Sequence, residues 1–161
     1  MADVFAAPTD EDAIALARTL RPEDRREMAG LGGADVLAHI RYCVEQSERC
    51  WTCHKNGRVL AMFGIVRTNP FVNHGKVWML ASDESARNKV FVGRWTKKIM
   101  NAFLEDWDYL YNYIDSGNDD TIAWLKWLGA DVKPAQPMGP YGATYHHFSF
   151  TYLIKKKELY L

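Results

Sequence analysis

The sequence predicts a single α/β domain, residues 1–161, built on a twisted mixed sheet of about six or seven strands with helices on both faces. Three observations predict it. Apolar residues recur at helical spacing in some segments and alternate, or run together, in others. Two of the strand-like segments flank Asn56-Gly57, a dipeptide suited to a two-residue hairpin because both central positions need positive φ. Residues 77–129 then read strand, helix, strand, helix, an order that calls for a sheet covered by helices.

Taken in order, Asp3-Val4-Phe5-Ala6 forms a short first strand. Thr9 followed by Asp10, Glu11 and Asp12 supplies a helix start, with a capping hydroxyl and acids in the first turn. The helix continues from Ala13 to Leu20 and is interrupted at Arg21-Pro22, where Pro22 suits the opening of a further turn. Gly30-Leu31-Gly32-Gly33 is a break. Ala34 to Ser47 follows as a second helix, with Val36, Leu37, Ile40 and Val44 on one side. Trp51 to His54 and Val59 to Val66 are the hairpin strands, and Val77 to Ala81 is the next strand. The longest helix spans about Ser85 to Asp106, with Phe91, Val92, Trp95, Ile99, Ala102 and Phe103 at helical spacing. Tyr109 to Ile114 is a buried strand, and Asn118 to Leu128 is a short helix closed by Gly129. An extended stretch rich in Pro and Gly leads to a last strand, Tyr145 to Ile154. The order expected is strand, two helices, three strands, helix, strand, helix, strand.

Composition narrows the function classes. The chain has 161 residues, 48% hydrophobic and 25% charged, enough to bury a core. Lys plus Arg and Asp plus Glu number 20 each, so there is no basic excess of the kind that marks a nucleic-acid binder. No apolar run approaches the ~20 residues that span a bilayer. The opening MADVFAAPTDEDA is not a basic, apolar leader. A cytoplasmic protein without nucleic-acid or membrane partners is therefore expected.

The helix Asn118-Asp119-Asp120-Thr121-Ile122-Ala123-Trp124-Leu125-Lys126-Trp127-Leu128-Gly129 resembles the pattern N-x-x-A-x-x-x-Y-x-x-x-G of GNAT acyltransferases, with Asn118 and Gly129 in register. In any helix the same two residues suit an N-cap and a C′ glycine. Longer pieces resemble a family of GNAT-like proteins of short-tailed bacteriophages, described also as internal virion protein A. They are Arg21-Pro22-Glu23-Asp24-Arg25-Arg26-Glu27, the hairpin from Trp51-Thr52 to Met62-Phe63-Gly64, Val77-Trp78-Met79-Leu80, Asn112-Tyr113-Ile114 to Gly129, and Gly142 to Phe148. Together they run from about residue 21 to 150.

The resemblance implies a GNAT-like fold and two functional classes. One is a phage factor in virion assembly or the particle interior, with phage virion or assembly proteins as partners and the host cytoplasm or the virion as its location. The other is an acetyl-CoA-dependent N-acyltransferase modifying an amine of a host or phage molecule. GNAT enzymes hold the CoA pyrophosphate with backbone N–H groups of a glycine turn, Q/R-x-x-G-x-G/A, at a helix N-terminus. Here the segment after the Trp78 strand reads Ser82-Asp83-Glu84-Ser85-Ala86-Arg87-Asn88-Lys89, and Lys89 and Phe91 stand where glycines belong. The position of the family's proton-donating Tyr is Leu125. In an active enzyme Arg87, Asn88, Lys89 and Asn118 are the cofactor-binding candidates, and His147 the catalytic base.

Other constellations have plain readings. Cys50-Trp51-Thr52-Cys53-His54 matches a haem-attachment spacing, and Cys43, Cys50, Cys53 and His54 could supply a zinc set, but the strand context favours buried thiols acting as small apolar residues. No metal is expected. Arg21, Asp24, Arg25 and Glu27 read as a solvated helix face with i,i+3 and i,i+4 pairs, or as a contact surface. Lys155-Lys156-Lys157 reads as a solvated tail.

Overall fold

The computed structural model describes residues 5–33 and 35–151. They fall into two compact units. One comprises the chain up to Val66 together with Val77–Lys89, and the other Arg67–Lys76 together with the chain from Val90 onward. The strand His74–Ala81 is thus divided between them.

The first unit holds strand β1 (Phe5–Ala6), helices α1 (Asp10–Thr19), α2 (Pro22–Gly30) and α3 (Val36–Gln46), strands β2 (Arg49–Lys55) and β3 (Arg58–Arg67), and the C-terminal part of β4 (His74–Ala81). Its strands pair in the order β1-β2-β3-β4, antiparallel from β1 to β3. The hairpin turn is made as its dipeptide predicts: Asn56 and Gly57 have φ of 53° and 74°. At the start of α1, Thr9 Oγ1 accepts the Asp12 N–H at 3.1 Å and Asp12 Oδ2 accepts the Thr9 N–H at 3.0 Å, a reciprocal capping box. Ala13, Leu16, Leu20, Met28, Ile40, Met62 and Trp78 form its core cluster.

Helix α2 departs from the expected order, which had two helices ahead of the hairpin where three stand. Pro22 opens α2 as its first residue, but only Asp24 and Met28 are buried along it, so no apolar stripe announces it. Of the charged set, Arg21 and Asp24 make the expected i,i+3 pair and Arg25 is exposed, but Asp24 is buried rather than solvated. Asp24 is 3% exposed and accepts from Arg21 Nε at 3.0 Å, Arg21 Nη2 at 2.7 Å and the Ala81 N–H at 2.9 Å. Arg25 donates to the carbonyls of Ala17 and Leu20, closing the α1–α2 corner. The motif therefore fastens the helical corner to the end of β4.

The second unit holds the start of β4, helix α4 (Lys89–Asp106, from Val90), strand β5 (Tyr109–Asp115), helix α5 (Asp119–Trp127), the two-residue strands β6 (Asp131–Val132) and β7 (Gln136–Pro137), and β8 (Thr144–Thr151). β4 and β5 are parallel, while β5, β6 and β7 each pair antiparallel with β8, which makes the sheet mixed. Leu110, Ile114, Phe148 and Phe150 are buried from the strands, and Met100, Phe103, Leu104, Leu125 and Leu128 from α4 and α5 and the residue that closes it. β7 lies in the Pro- and Gly-rich stretch read as an extended loop, and β6 just ahead of it, where no strand was expected. Asp3 and Val4 of the first expected strand, Tyr152 to Ile154 of the last, and the lysine run lie outside the described residues. No helix among the described residues is long and apolar enough to cross a membrane.

Candidate functional site

The segment after β4 is a 3-10 helix, Asp83–Asn88, where the sequence suggests a loop running into α4. It is held in place by the β2–β3 hairpin. Lys55 Nζ donates to Asn88 Oδ1, Asn88 Nδ2 donates to the Glu84 carbonyl at 2.8 Å, and Arg58 forms an ion pair with Glu84. Asn88 therefore has both ends of its amide engaged, whereas Arg87 and Lys89 are exposed. A 3-10 helix spends its N–H groups on carbonyls three residues back; here the Ser85 N–H is bonded to the Ser82 carbonyl at 3.0 Å. The segment opens on two carboxylates, Asp83 and Glu84, whose charge opposes a phosphate there.

His147 lies on β8 in the second unit, opposite Tyr113 of β5. The Tyr109 hydroxyl is 3.3 Å from its Nε2, its ring stacks on Tyr111 at 5.7 Å, and Tyr113 meets it edge-on at 5.2 Å. Tyr109 also stacks on Tyr111 and touches His74. The three tyrosines share one strand face by period-2 alternation, visible as Y-L-Y-N-Y in the sequence but not used there. His147 is thus within hydrogen-bond reach of the Tyr109 hydroxyl. Its neighbour His146 is differently employed, its Nδ1–H donating to the Lys133 carbonyl at 2.6 Å.

Asn118 occupies the N-cap position of α5, yet its side chain makes no capping bond. It is 4% exposed, and its Nδ2 has no hydrogen-bond partner among the described residues. Leu125, at the place of the family tyrosine, is buried at 6% exposure and serves the apolar interior. The structure thus groups Arg87, Asn88 and Lys89 at consecutive positions in the first unit, and places Asn118 and His147 in the second, Asn118 at the start of α5 and His147 on β8, which pairs with β5.

The cysteine cluster gathers no metal set. His54 Nε2 donates to Asp12 Oδ1 at 3.0 Å, and no three His, Cys, Asp or Glu side chains among the described residues are placed to hold a metal ion. Burial opposes the Asp12 charge, but the hydrogen bonds from His54 and the Thr9 backbone prevail and hold its pKa below the usual carboxylate value. None of the three cysteines is in a disulfide, and burial pushes the Cys50 and Cys53 thiols up to about 11, which suits small apolar residues rather than thiolate nucleophiles.

No protein-family model and no curated protein matches the sequence. Solved structures do match. The ribosomal-protein-alanine N-acetyltransferase of Brucella melitensis superposes with a TM-score of 0.68 at 15% identity, covering 91% of this chain and 98% of that one. A GNAT-family acetyltransferase of Streptococcus pneumoniae gives 0.60 at 11% identity over 91% and 97% of the two chains. The spermidine N-acetyltransferase of Vibrio cholerae, solved with CoA and spermine, gives 0.69 at 9% identity over 92% and 95%. The chain therefore has the GNAT acetyltransferase fold. At such identities the likeness establishes fold and not activity.

The fold raises acetyl-CoA as a cofactor, and the segment after β4 is where its pyrophosphate would have to be met. The residues there do not fit. There is no glycine turn, the backbone is coiled into a 3-10 helix, and two acids head it.

Proposed function

We propose that the protein acts in the assembly or the interior of a short-tailed phage particle, using the GNAT fold as a scaffold without acyl transfer. The observation that carries this reading is the 3-10 helix Asp83–Asn88, closed on itself and tied to the hairpin by Lys55 and Arg58. The phage context is supported by the pieces between about residues 21 and 150 that resemble the phage proteins.

The test is a deletion of the gene in the phage that encodes it, with mass spectrometry of purified particles and assembly intermediates. The reading expects peptides of this chain in one of those fractions and a lower yield of infectious particles on deletion. Yield returns with the wild-type gene and equally with the double variant Arg87→Glu, Lys89→Glu, which reverses the exposed cations of the segment. A chain confined to the soluble lysate, or a yield untouched by deletion, contradicts it.

A second reading, an acetyl-CoA-dependent N-acyltransferase acting on an amine, is favoured by the V. cholerae neighbour solved with CoA and spermine. In that case His147, within reach of the Tyr109 hydroxyl, is the proton acceptor, and Arg87, Asn88 and Lys89 stand in for the absent glycines.

A further inference from the structure

The equal numbers of acidic and basic residues are an average over the chain, and the second unit does not share them evenly. From Lys89 to Leu104 helix α4 carries Lys89, Arg94, Lys97 and Lys98 and no acid. Its only carboxylates, Glu105 and Asp106, close it, and α5 opens on Asp119 and Asp120. Cations in the N-terminal half and acids at the C-terminus oppose the helix dipole, so this distribution does not serve the helix itself.

Nor does it serve ion pairing. Arg94, Lys98 and Lys126 are exposed and make no salt bridge among the described residues. Two of the lysines instead lie over indoles: Lys97 Nζ is 4.9 Å from the Trp127 ring centre and Lys98 Nζ is 5.0 Å from that of Trp95. Trp127, at the end of α5, is 55% exposed, and Val90 at the start of the α4 face is 77% exposed. Gly93 lies beside the same indole: a Cβ there would be 4.0 Å from Trp127 Cζ3, so the backbone of α4 runs close to the ring. An exposed indole set among unpaired cations is the combination that holds single-stranded nucleic acid, bases stacking on the ring and phosphates meeting the cations.

We propose that the α4–α5 face around Trp127, with Arg94, Lys97, Lys98 and Lys126, binds single-stranded nucleic acid. The site goes beyond the assembly reading and does not depend on it. Binding needs neither a base-specific contact nor the segment after β4.

The test is fluorescence anisotropy of a labelled oligothymidylate of about 15 nucleotides, titrated with the full chain from ~20 to ~200 mM salt. The wild type is expected to bind at low salt, with log affinity falling by about 0.7 per phosphate contact for each unit of log salt. Arg94→Glu with Lys98→Glu is expected to weaken binding at least tenfold. Trp127→Ala removes the stacking surface and is expected to cost about 5- to 100-fold, with the slope in salt unchanged. Both substitutions are on exposed positions, and an unchanged melting temperature excludes unfolding as the cause. No binding at low salt overturns the proposal. So does binding that Trp127→Ala leaves intact, or that polyglutamate matches, since either describes a nonspecific charge effect. Loss of this binding leaves the particle-yield test untouched, and the reverse holds as well.

Discussion

Asp24→Ala is expected to remove about 3–5 kcal/mol of folding stability, a large share of what a domain of this size has. The carboxylate is 3% exposed and gathers three donors: Nε and Nη2 of Arg21 and the Ala81 N–H. Truncation leaves the guanidinium, whose side chain is 25% exposed, without its counter-ion, and leaves an N–H in a residue 1% exposed without an acceptor. Asp24→Asn does not rescue it, because the amide turns a donor toward donors. Urea unfolding checks this: with a slope of about 1–3 kcal/mol per molar, the midpoint should drop by more than a molar unit. Asp10→Ala is the control. Its pair with Arg41 is exposed at both ends, and its loss should leave the midpoint nearly unchanged. Equal effects of the two substitutions would refute the role given to Asp24.

Gly64→Ala should be the most damaging addition of a single methyl group, costing about 1–3 kcal/mol or abolishing folding. An added Cβ would lie 2.6 Å from the Arg49 carbonyl oxygen and 3.0 Å from both Ser47 Oγ and Trp78 Nε1. The first contact is with backbone of the paired strand β2 and cannot be relieved by turning a side chain. The other two atoms are bonded to each other, Trp78 Nε1–H donating to Ser47 Oγ at 2.8 Å, and Ser47 Oγ in turn donating to the Cys43 carbonyl. Relief therefore parts β2 from β3 or breaks the link from α3 to the buried Trp78. Lower unfolding midpoints together with an altered near-ultraviolet tryptophan signal are expected; a native signal and midpoint would show that the strands yield freely.

Much of the fold was legible because its signals are local. Thr9 and Asp12 lie three residues apart and make their capping box within α1. Asn56-Gly57 specifies its turn through two positive φ values. α2 was not legible as a helix, since Pro22 alone points to it and its key buried side chain is an aspartate. Arg21 lies within spacing reach of that aspartate, but its other donor, the Ala81 N–H, is 57 residues away, and no spacing rule reaches so far. The segment after β4 shows the same limit. Missing glycines were visible in the sequence, but a 3-10 turn and a first α-helical turn share a pattern, and the ties from Lys55 and Arg58 form only when the hairpin is folded beside it. Around His147 the alternating tyrosines were on view in the chain, while the pairing of Tyr113 with His147 depends on the register of β5 with β8.

On the proposed function, the segment Asp83–Asn88 is closed to the phosphates of CoA. Isothermal titration of the purified chain with acetyl-CoA, with CoA alone as control, measures this directly. No heat and no thermal stabilisation are expected at millimolar ligand. A dissociation constant of about ten micromolar would instead stabilise the fold by about 2.7 kcal/mol at a hundredfold excess, and would contradict that reading. In that event the acyltransferase reading takes precedence, and His147→Ala is the first variant to assay with amine acceptors.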